Sequence, residues 1–392
     1  MSTDKLKLYE ERKKRYLTAL ECGKPDRVPV VITGNEFIIK YAGFTLQDFY
    51  YNPEINYIKA MDAFLQRYDV DAHFGAPMLW WGGLHDAVGA VYLKFAGREL
   101  DVNTQFQYIE GEYMQPEDYD AFIENPTEWI VTTFLPRIHK EFAEPGSYRA
   151  SIALMKGAIA RTLELGMLAK AAERWAKEYG SFTAITGISK APFDTLGDTL
   201  RGLKGIMMDI RRIPDKVKAA MEVLVEHNIF YGLATAGGDT EFPVFIPLHR
   251  GAYPFLNPKQ WDEFYWPTLK KVIEGLWAKG KRTLFYAEGD WTPYLEKIAE
   301  LPEKSIVFHV DQTDIDKAKK ILGGRFCLKG NVPNSLLAIG KPDEVKDYVK
   351  RLIDTYAADG GFIVDAAAVI QADADPRNVE AMVEAVHLYG KY

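Results

Sequence analysis

From residue 181 onward, short β-branched or aromatic runs alternate with amphipathic helical stretches, and this rhythm constrains the fold more than any other feature of the chain. The runs are Phe182–Ile188, Phe242–Leu248, Thr283–Ala287, Ile306–Val310, Arg325–Lys329 and Gly361–Asp365. The helical stretches cover 211–229, 258–279, 314–321, 343–357 and 376–389. In 343–357 the apolar face is explicit: Val345, Tyr348, Val349, Leu352, Ile353 and Tyr356 follow a Pro342-Asp343 start signal. Strands separated by helices pair in parallel through right-handed crossovers and are buried on both faces. With Val28–Ile32 and a run near Val70–Phe74 the strands total about eight, which favours an α/β chain closed into a (β/α)8 TIM barrel over an open doubly wound sheet.

The rest of the chain reads as additions to that barrel. Residues 5–22 form an amphipathic helix through Leu6, Tyr9, Tyr16, Leu17 and Leu20, ended by Gly23 and Pro25. Residues 85–180 predict a helical and hairpin elaboration, with the alternation Val102-Asn103-Thr104-Gln105-Phe106-Gln107-Tyr108 as its β part. No low-complexity linker divides residues 1–392, so one barrel domain is expected. Apolar residues make up 47% and charged residues 26%, enough for a substantial core. A net charge of −7 without a long basic run argues against a nucleic-acid binder. No run of eighteen apolar residues predicts a membrane span, the charged N-terminus has no signal core, and two distant cysteines make no disulfide framework. A cytoplasmic protein is expected.

In a parallel barrel the chemistry gathers where strands end. That places Gly187–Lys190, Leu248-His249, Glu288, His309 with Asp311, Cys327 with Lys329 and Asn331, and Asp365 around one mouth. Glu288 and His309 end consecutive strands, and neighbouring strands lie about 4.8 Å apart. With Cys327 on the next strand they make a candidate three-ligand zinc site with an open fourth position. Each also has a plain reading: His309 as a satisfied core histidine, Glu288 as a loop charge or substrate contact, and Cys327 as a small buried apolar group. His249 or Asp365 could stand in as third ligand or bind substrate. The stretch HFGAPMLWWGG offers His73, Phe74, Met78, Trp80 and Trp81 as walls for a flat ring, or as ordinary core. No GxSxG, GxGxxG, GxxxxGKS or HExxH occurs, nor a corrin-binding Asp-x-His-x-x-Gly.

These residues carry a family likeness. The opening ERKKRYLTALECGKPDRVPV, the middle TGISKAPFDTLGDTLRGLKGIMMDIRRIPDKV, ILGGRFCLKGNVPNSLLAIGKPDEVKDYV and the closing DADPRNVEAMVEAV resemble the uroporphyrinogen decarboxylase superfamily over nearly the whole chain. The resemblance implies a (β/α)8 barrel. Decarboxylases of that superfamily hold substrate carboxylates with an arginine-rich loop, whereas the matching VITGNEFIIKYAG has no arginine. The other branch comprises zinc-dependent methyltransferases that exchange methyl groups with corrinoid proteins. Where its coenzyme M enzymes carry His-x-Cys, this chain has Tyr286 and Glu288, and their last Cys falls near Ala368. This departure resembles the ether-cleaving methyltransferases of O-demethylase systems, whose Glu-x20-His pattern Glu288 and His309 match. The upstream Glu of that pattern would be Glu274, which lies off the apolar face of helix 258–279, so Cys327, then His249 or Asp365, is preferred.

The resemblance thus implies zinc held by Glu288, His309 and Cys327, and Tyr286, Asp290 and Asp311 as proton donors or supporting groups. It implies His249, Asn331, Asp365 and the 73–81 aromatics around a small methoxylated aromatic substrate, and cobalamin carried by a separate corrinoid protein. Methyl transfer to a thiol, a decarboxylase-like lyase and a non-catalytic tetrapyrrole binder are the rival readings.

Overall fold

The computed structural model describes residues 3–75, 81–237 and 241–392. The strands in chain order are β1 (Val31–Ile32), β2 (Ala72–His73), β3 (Leu93–Lys94), β4 (Gln107–Tyr108), β5 (Phe182–Thr183), β6 (Gly187–Ile188), β7 (Val244–Leu248), β8 (Thr283–Ala287), β9 (Ile306–Val310), β10 (Cys327–Val332) and β11 (Phe362–Ala366). β1, β2 and β5 pair in parallel, and β6 through β11 pair in parallel in sequence order. β5 and β6 belong to one run, 182–188, that pairs with β2 at its start and β7 at its end. A parallel bridge from Val30 to Val364 joins the last strand to the first. The pairings therefore return to their origin, as the rhythm of apolar runs predicted for a (β/α)8 barrel.

The expected hairpin exists, but its strands are β3 and β4, with Leu93 opposite Tyr108. The elaboration ends in a helix of 32 residues, Tyr148–Tyr179. One strand boundary matters for function. The sequence suggested a strand over 325–329; the observed β10 begins at Cys327 and runs through Gly330 and Asn331 to Val332. Gly and Asn are usual turn signals, but here neighbouring strands on both sides supply the ladder.

Two apolar layers hold the barrel. The outer one lies between strands and surrounding helices. The inner one fills the lumen with Val31, Ala72, Phe245, Leu284, Val307, Cys327 and Ile363, and Tyr16 and Leu20 of the N-terminal helix Thr3–Leu20 pack against it. The Tyr16 hydroxyl donates to the Ala184 carbonyl at 2.8 Å. No described helix is long and apolar enough to cross a membrane.

The Gly23-to-Pro29 stretch that follows this helix also builds an ion cluster. Asp71, fully buried, pairs with Arg15 and Arg27 and accepts the Val30 amide at 2.8 Å. Asp26 takes the other side of Arg15. Removing the shared acid takes the paired carboxylate from the buried Arg27 and leaves Arg15 with Asp26 alone. Asp71→Ala is therefore expected to lower unfolding free energy by about 3–5 kcal/mol, read as a lower urea midpoint at unchanged slope.

Candidate functional site

Because the barrel strands are parallel, their carboxyl ends share one mouth, and β7 to β9 carry His249, Glu288 and Asp311 to it. The exit of β7 is pinned from the side. Asp194, in the turn Pro192–Asp194, accepts the His249 and Arg250 amides at 3.1 and 2.9 Å and the Tyr265 hydroxyl at 2.8 Å. One helical turn later, on the same face, Asp198 takes His249 Nδ1 at 2.8 Å, Arg250 Nε at 2.6 Å and Lys190 Nζ at 2.9 Å. The other imidazole nitrogen, Nε2, lies 3.5 Å from Glu288 Oε1. His249 thus stands between two carboxylates, and both it and Glu288 are partly open to solvent.

These contacts set the protonation of the group. Burial alone would lower the His249 pKa, but the Asp198 hydrogen bond and then Glu288 outweigh it and push it up to about 10. Burial would raise Asp198, yet His249 and Lys190 hold it well below the ordinary carboxylate range. Asp194, fully buried and beside Asp198, is pushed up to about 6. Burial and then Glu288 raise Asp311, against the opposing hydrogen bond its Oδ2 accepts from the Gly289 amide at 2.8 Å. Gly289 has φ 84°, and a Cβ there would meet Ala252 at 2.9 Å, so the turn after Glu288 needs glycine.

Beneath the mouth lies a closed polar layer. Lys329 and Asp365, both almost fully buried, form an ion pair. Asp365 also accepts the Thr33 hydroxyl at 2.6 Å and the Ala366 amide at 2.7 Å. His309 is buried, with Nε2 2.9 Å from the Ala367 carbonyl and Nδ1 3.4 Å from Lys329 Nζ. Burial, then Lys329, hold its pKa well below normal, so the ring is neutral, its Nε2–H donating and its Nδ1 accepting. Tyr286 stacks on His309 at 4.1 Å and is fully buried.

The structure does not bring Glu288, His309 and Cys327 together. Tyr286, His309 and Lys329 share one level of the barrel. Glu288 lies two residues above that level and Cys327 two below, about 13 Å apart along the strands. Zinc ligands must lie within about 2.3 Å of one ion. Cys327 faces the lumen floor, where burial raises its thiol pKa, and His309 has both ring nitrogens engaged. The expected donor set does not fit zinc. Among the described residues no group of three or more His, Cys, Asp or Glu is arranged to hold a metal; Glu288 with His249 is a donor pair facing a common space. Asp365 is committed to Lys329 and Thr33 rather than to a metal or substrate. Glu274 sits on the outer helix Trp266–Ala278.

Other expectations also shift. His73 points out of the barrel, 3.0 Å from Ser181 Oγ and edge-on to Trp175, with burial pulling its pKa down to about 3. It joins strand to helix and walls no substrate. Phe74 packs edge-on to Phe245 at 4.8 Å in the lumen. Trp81 lines a groove with Tyr51, Ile55, Leu163 and Met167 beside the elaboration. Met78 and Trp80 lie outside the described residues. Asn331 holds the Tyr348 hydroxyl at 3.2 Å. Asp290 caps the Thr292 amide at 2.8 Å, a turn role in place of proton donation. Sequence reading missed Asp194 and Asp198; their four-residue spacing just after a strand was the available signal.

Comparisons with known proteins show what the chain is similar to. The family described as Uroporphyrinogen decarboxylase (URO-D) matches residues 129–389. Uroporphyrinogen decarboxylase of Idiomarina loihiensis is 24% identical over 237 residues, 58% of this chain and 64% of the relative. That of Pseudoalteromonas translucida is 29% identical over 138 residues, 34% of this chain and 38% of the relative. The chain thus spans less than two thirds of the length of these relatives. A solved methyltransferase from Methanosarcina mazei superposes with a TM-score of 0.65 at 20% identity, covering 96% of this chain and 98% of that one.

Proposed function

We propose that this chain, which belongs to the uroporphyrinogen decarboxylase family, is a methyltransferase that takes the methyl group of a methoxylated aromatic compound and passes it to the cobalamin of a separate corrinoid protein. The observation that carries the reading is the line Asp198–His249–Glu288 at the barrel mouth. The full-length likeness to a methyltransferase fold supports it. So does the exit of β1, where a decarboxylase needs cations. Here Thr33-Gly34 is followed by Asn35 and a buried Glu36, whose pKa burial raises. At the mouth a substrate with several carboxylates would meet Glu288 and Asp311, while Arg250 is already paired with Asp198 and Glu110.

Methyl transfer from an aryl ether breaks the methyl carbon–oxygen bond, and the electron pair stays on the oxygen. The partner's cobalamin supplies the nucleophile that takes the methyl carbon. The chain's own task is to neutralise the departing phenolate. His249 Nε2–H faces the mouth and carries a proton whose affinity, about 10, matches that of a phenol, so proton donation runs nearly level. Asp198 fixes the ring by its Nδ1 hydrogen bond, and Glu288 holds the charged form and returns a proton from solvent. Tyr253 and Phe255, exposed on the loop after β7, offer flat apolar surface at the rim, with the Arg250 guanidinium 5.9 Å from the Phe255 ring.

The test is phenol release from methoxyarenes with a reduced corrinoid protein. Aryl ethers are expected to react; reaction of methyl thioethers alone would overturn the reading. The pH profile supplies a further prediction. Because His249 is raised, its acid form persists through neutrality and the rate falls only as pH approaches 10. Glu288→Gln removes one stabilising carboxylate and is expected to move that falling limb down by roughly one unit or more.

A further inference from the structure

The elaboration that interrupts the barrel touches the mouth through Glu110. The segment after β4 is clamped at both ends, its Ile109 amide donating to the Tyr92 carbonyl at 2.7 Å and its Met114 amide to the Leu200 carbonyl at 2.7 Å. Between these anchors both Glu110 oxygens are engaged. Oε1 accepts the Leu203 amide at 2.6 Å, and Oε2 accepts Arg250 Nη2 at 2.8 Å. Gly202 permits this approach: its φ is 70°, and an added Cβ would lie 3.3 Å from Glu110 Oε1. Arg250 gives its Nε to Asp198 at 2.6 Å, so one guanidinium is shared between two carboxylates. Arg250 and Glu110 both keep part of their side chains open to solvent. Among the described residues at the mouth, Lys190 and His249 also carry positive charge, and each already faces a carboxylate. Lys190 Nζ lies 2.9 Å from Asp198 and 3.3 Å from the Thr199 hydroxyl, and His249 stands between Asp198 and Glu288.

We propose that Glu110 sets the substrate class at this mouth: it occupies the Nη2 end of the Arg250 guanidinium, so that uncharged methoxyarenes are accepted and methoxybenzoates are turned away. The assignment rests on the methyl-transfer reading above and narrows its substrate. A guanidinium is the side-chain group best shaped for a carboxylate, because its paired N–H groups match the two oxygens. A benzoate entering beside Arg250 would have to displace Glu110 from Arg250, or lie against it with like charges together. A ring without a carboxylate meets neither obstacle. Phe255, whose ring lies 5.9 Å from the same guanidinium, offers it a flat neighbour. Specificity of this kind comes from a repulsive element set against the wrong ligand. Because Glu110 belongs to the elaboration, the insert takes part in choosing the substrate.

The test compares the binding of methoxybenzoate with that of methoxybenzamide, an uncharged compound of the same shape. Each is used as its meta and para isomers, in titration calorimetry without corrinoid protein. The wild-type chain is expected to bind the amide about tenfold more tightly than the acid. Glu110→Ala uncovers the guanidinium, and the ratio of the two affinities should move about tenfold toward the acid. A loosened structure would weaken both compounds together and leave the ratio where it was. Glu110→Gln keeps the shape and loses the charge, and should move the ratio the same way by less. Adding Arg250→Gln to Glu110→Ala should cancel the shift. Equal wild-type affinities, a ratio unmoved by Glu110→Ala, or a shift that survives Arg250→Gln would overturn the assignment and leave methyl transfer standing. A wild-type chain that binds no methoxyarene, charged or uncharged, would overturn both.

Discussion

Replacing His249 by Ala is expected to slow methyl transfer from an aryl ether by about 10²–10⁴-fold. The loss should fall on the rate of a single turnover and leave substrate affinity nearly unchanged, because the proton is needed only as the oxygen departs. The size of the loss should depend on the substrate. A methoxyarene whose phenol is acidic leaves without help, and on it His249→Ala should cost little. A guaiacol-type ether, whose phenol has a pKa of about 10, should show the full effect. His249 makes its side-chain contacts at the partly open mouth, so the variant should keep its melting temperature within a few degrees. Equal losses on good and poor leaving groups would mean that His249 positions the substrate and donates no proton.

The second large effect lies one layer down. Lys329 and Asp365 are buried together, and Asp365 is further tied to Thr33, the residue that follows β1. The pair joins β10, β11 and the exit of β1, where the ring of strands closes. Asp365→Ala leaves an ammonium group in the lumen beside the neutral Thr33 and His309. An uncompensated buried charge costs about 3–5 kcal/mol, and the chain should lose that much stability to urea. Replacing both members with apolar residues of similar volume, Lys329→Met with Asp365→Leu, is expected to recover most of it. A single variant as stable as wild type would mean that the two groups are not paired.

The contrast between these layers explains what could be seen in the sequence. Strands buried on both faces read as continuous apolar runs, so Thr283–Ala287 and Ile306–Val310 were legible to the residue. Glu288 was legible as well, because a charge directly after a buried run must lie at its end. β10 was not. Its Gly330-Asn331 pair mimics a turn, and ending the strand at 329 put Cys327 near the mouth when it belongs at the floor. A shift of three residues along a strand is about 10 Å, enough to remove a metal ligand. His73 failed for a related reason: neighbours on a strand face opposite sides, so Phe74 in the lumen means His73 outside it. The spacing of Asp194 and Asp198 was visible, but the pairing of Asp198 with His249 was not. Asp198 stands 51 positions earlier in the chain, and only the fold of the turn after β6 brings the two together.

In the proposed activity this mouth moves a methyl group from an aryl ether to a corrinoid. The most direct measurement mixes the chain with a reduced corrinoid protein and a guaiacol-type ether labelled in its methoxy methyl, and follows the label and the free phenol together. The expected result is one labelled methyl on the cobalamin for each phenol released, both abolished by unlabelled competitor and both slowed in step by His249→Ala. Phenol release without label on the cobalamin, or no release from any methoxyarene under conditions where the corrinoid stays reduced, would contradict it.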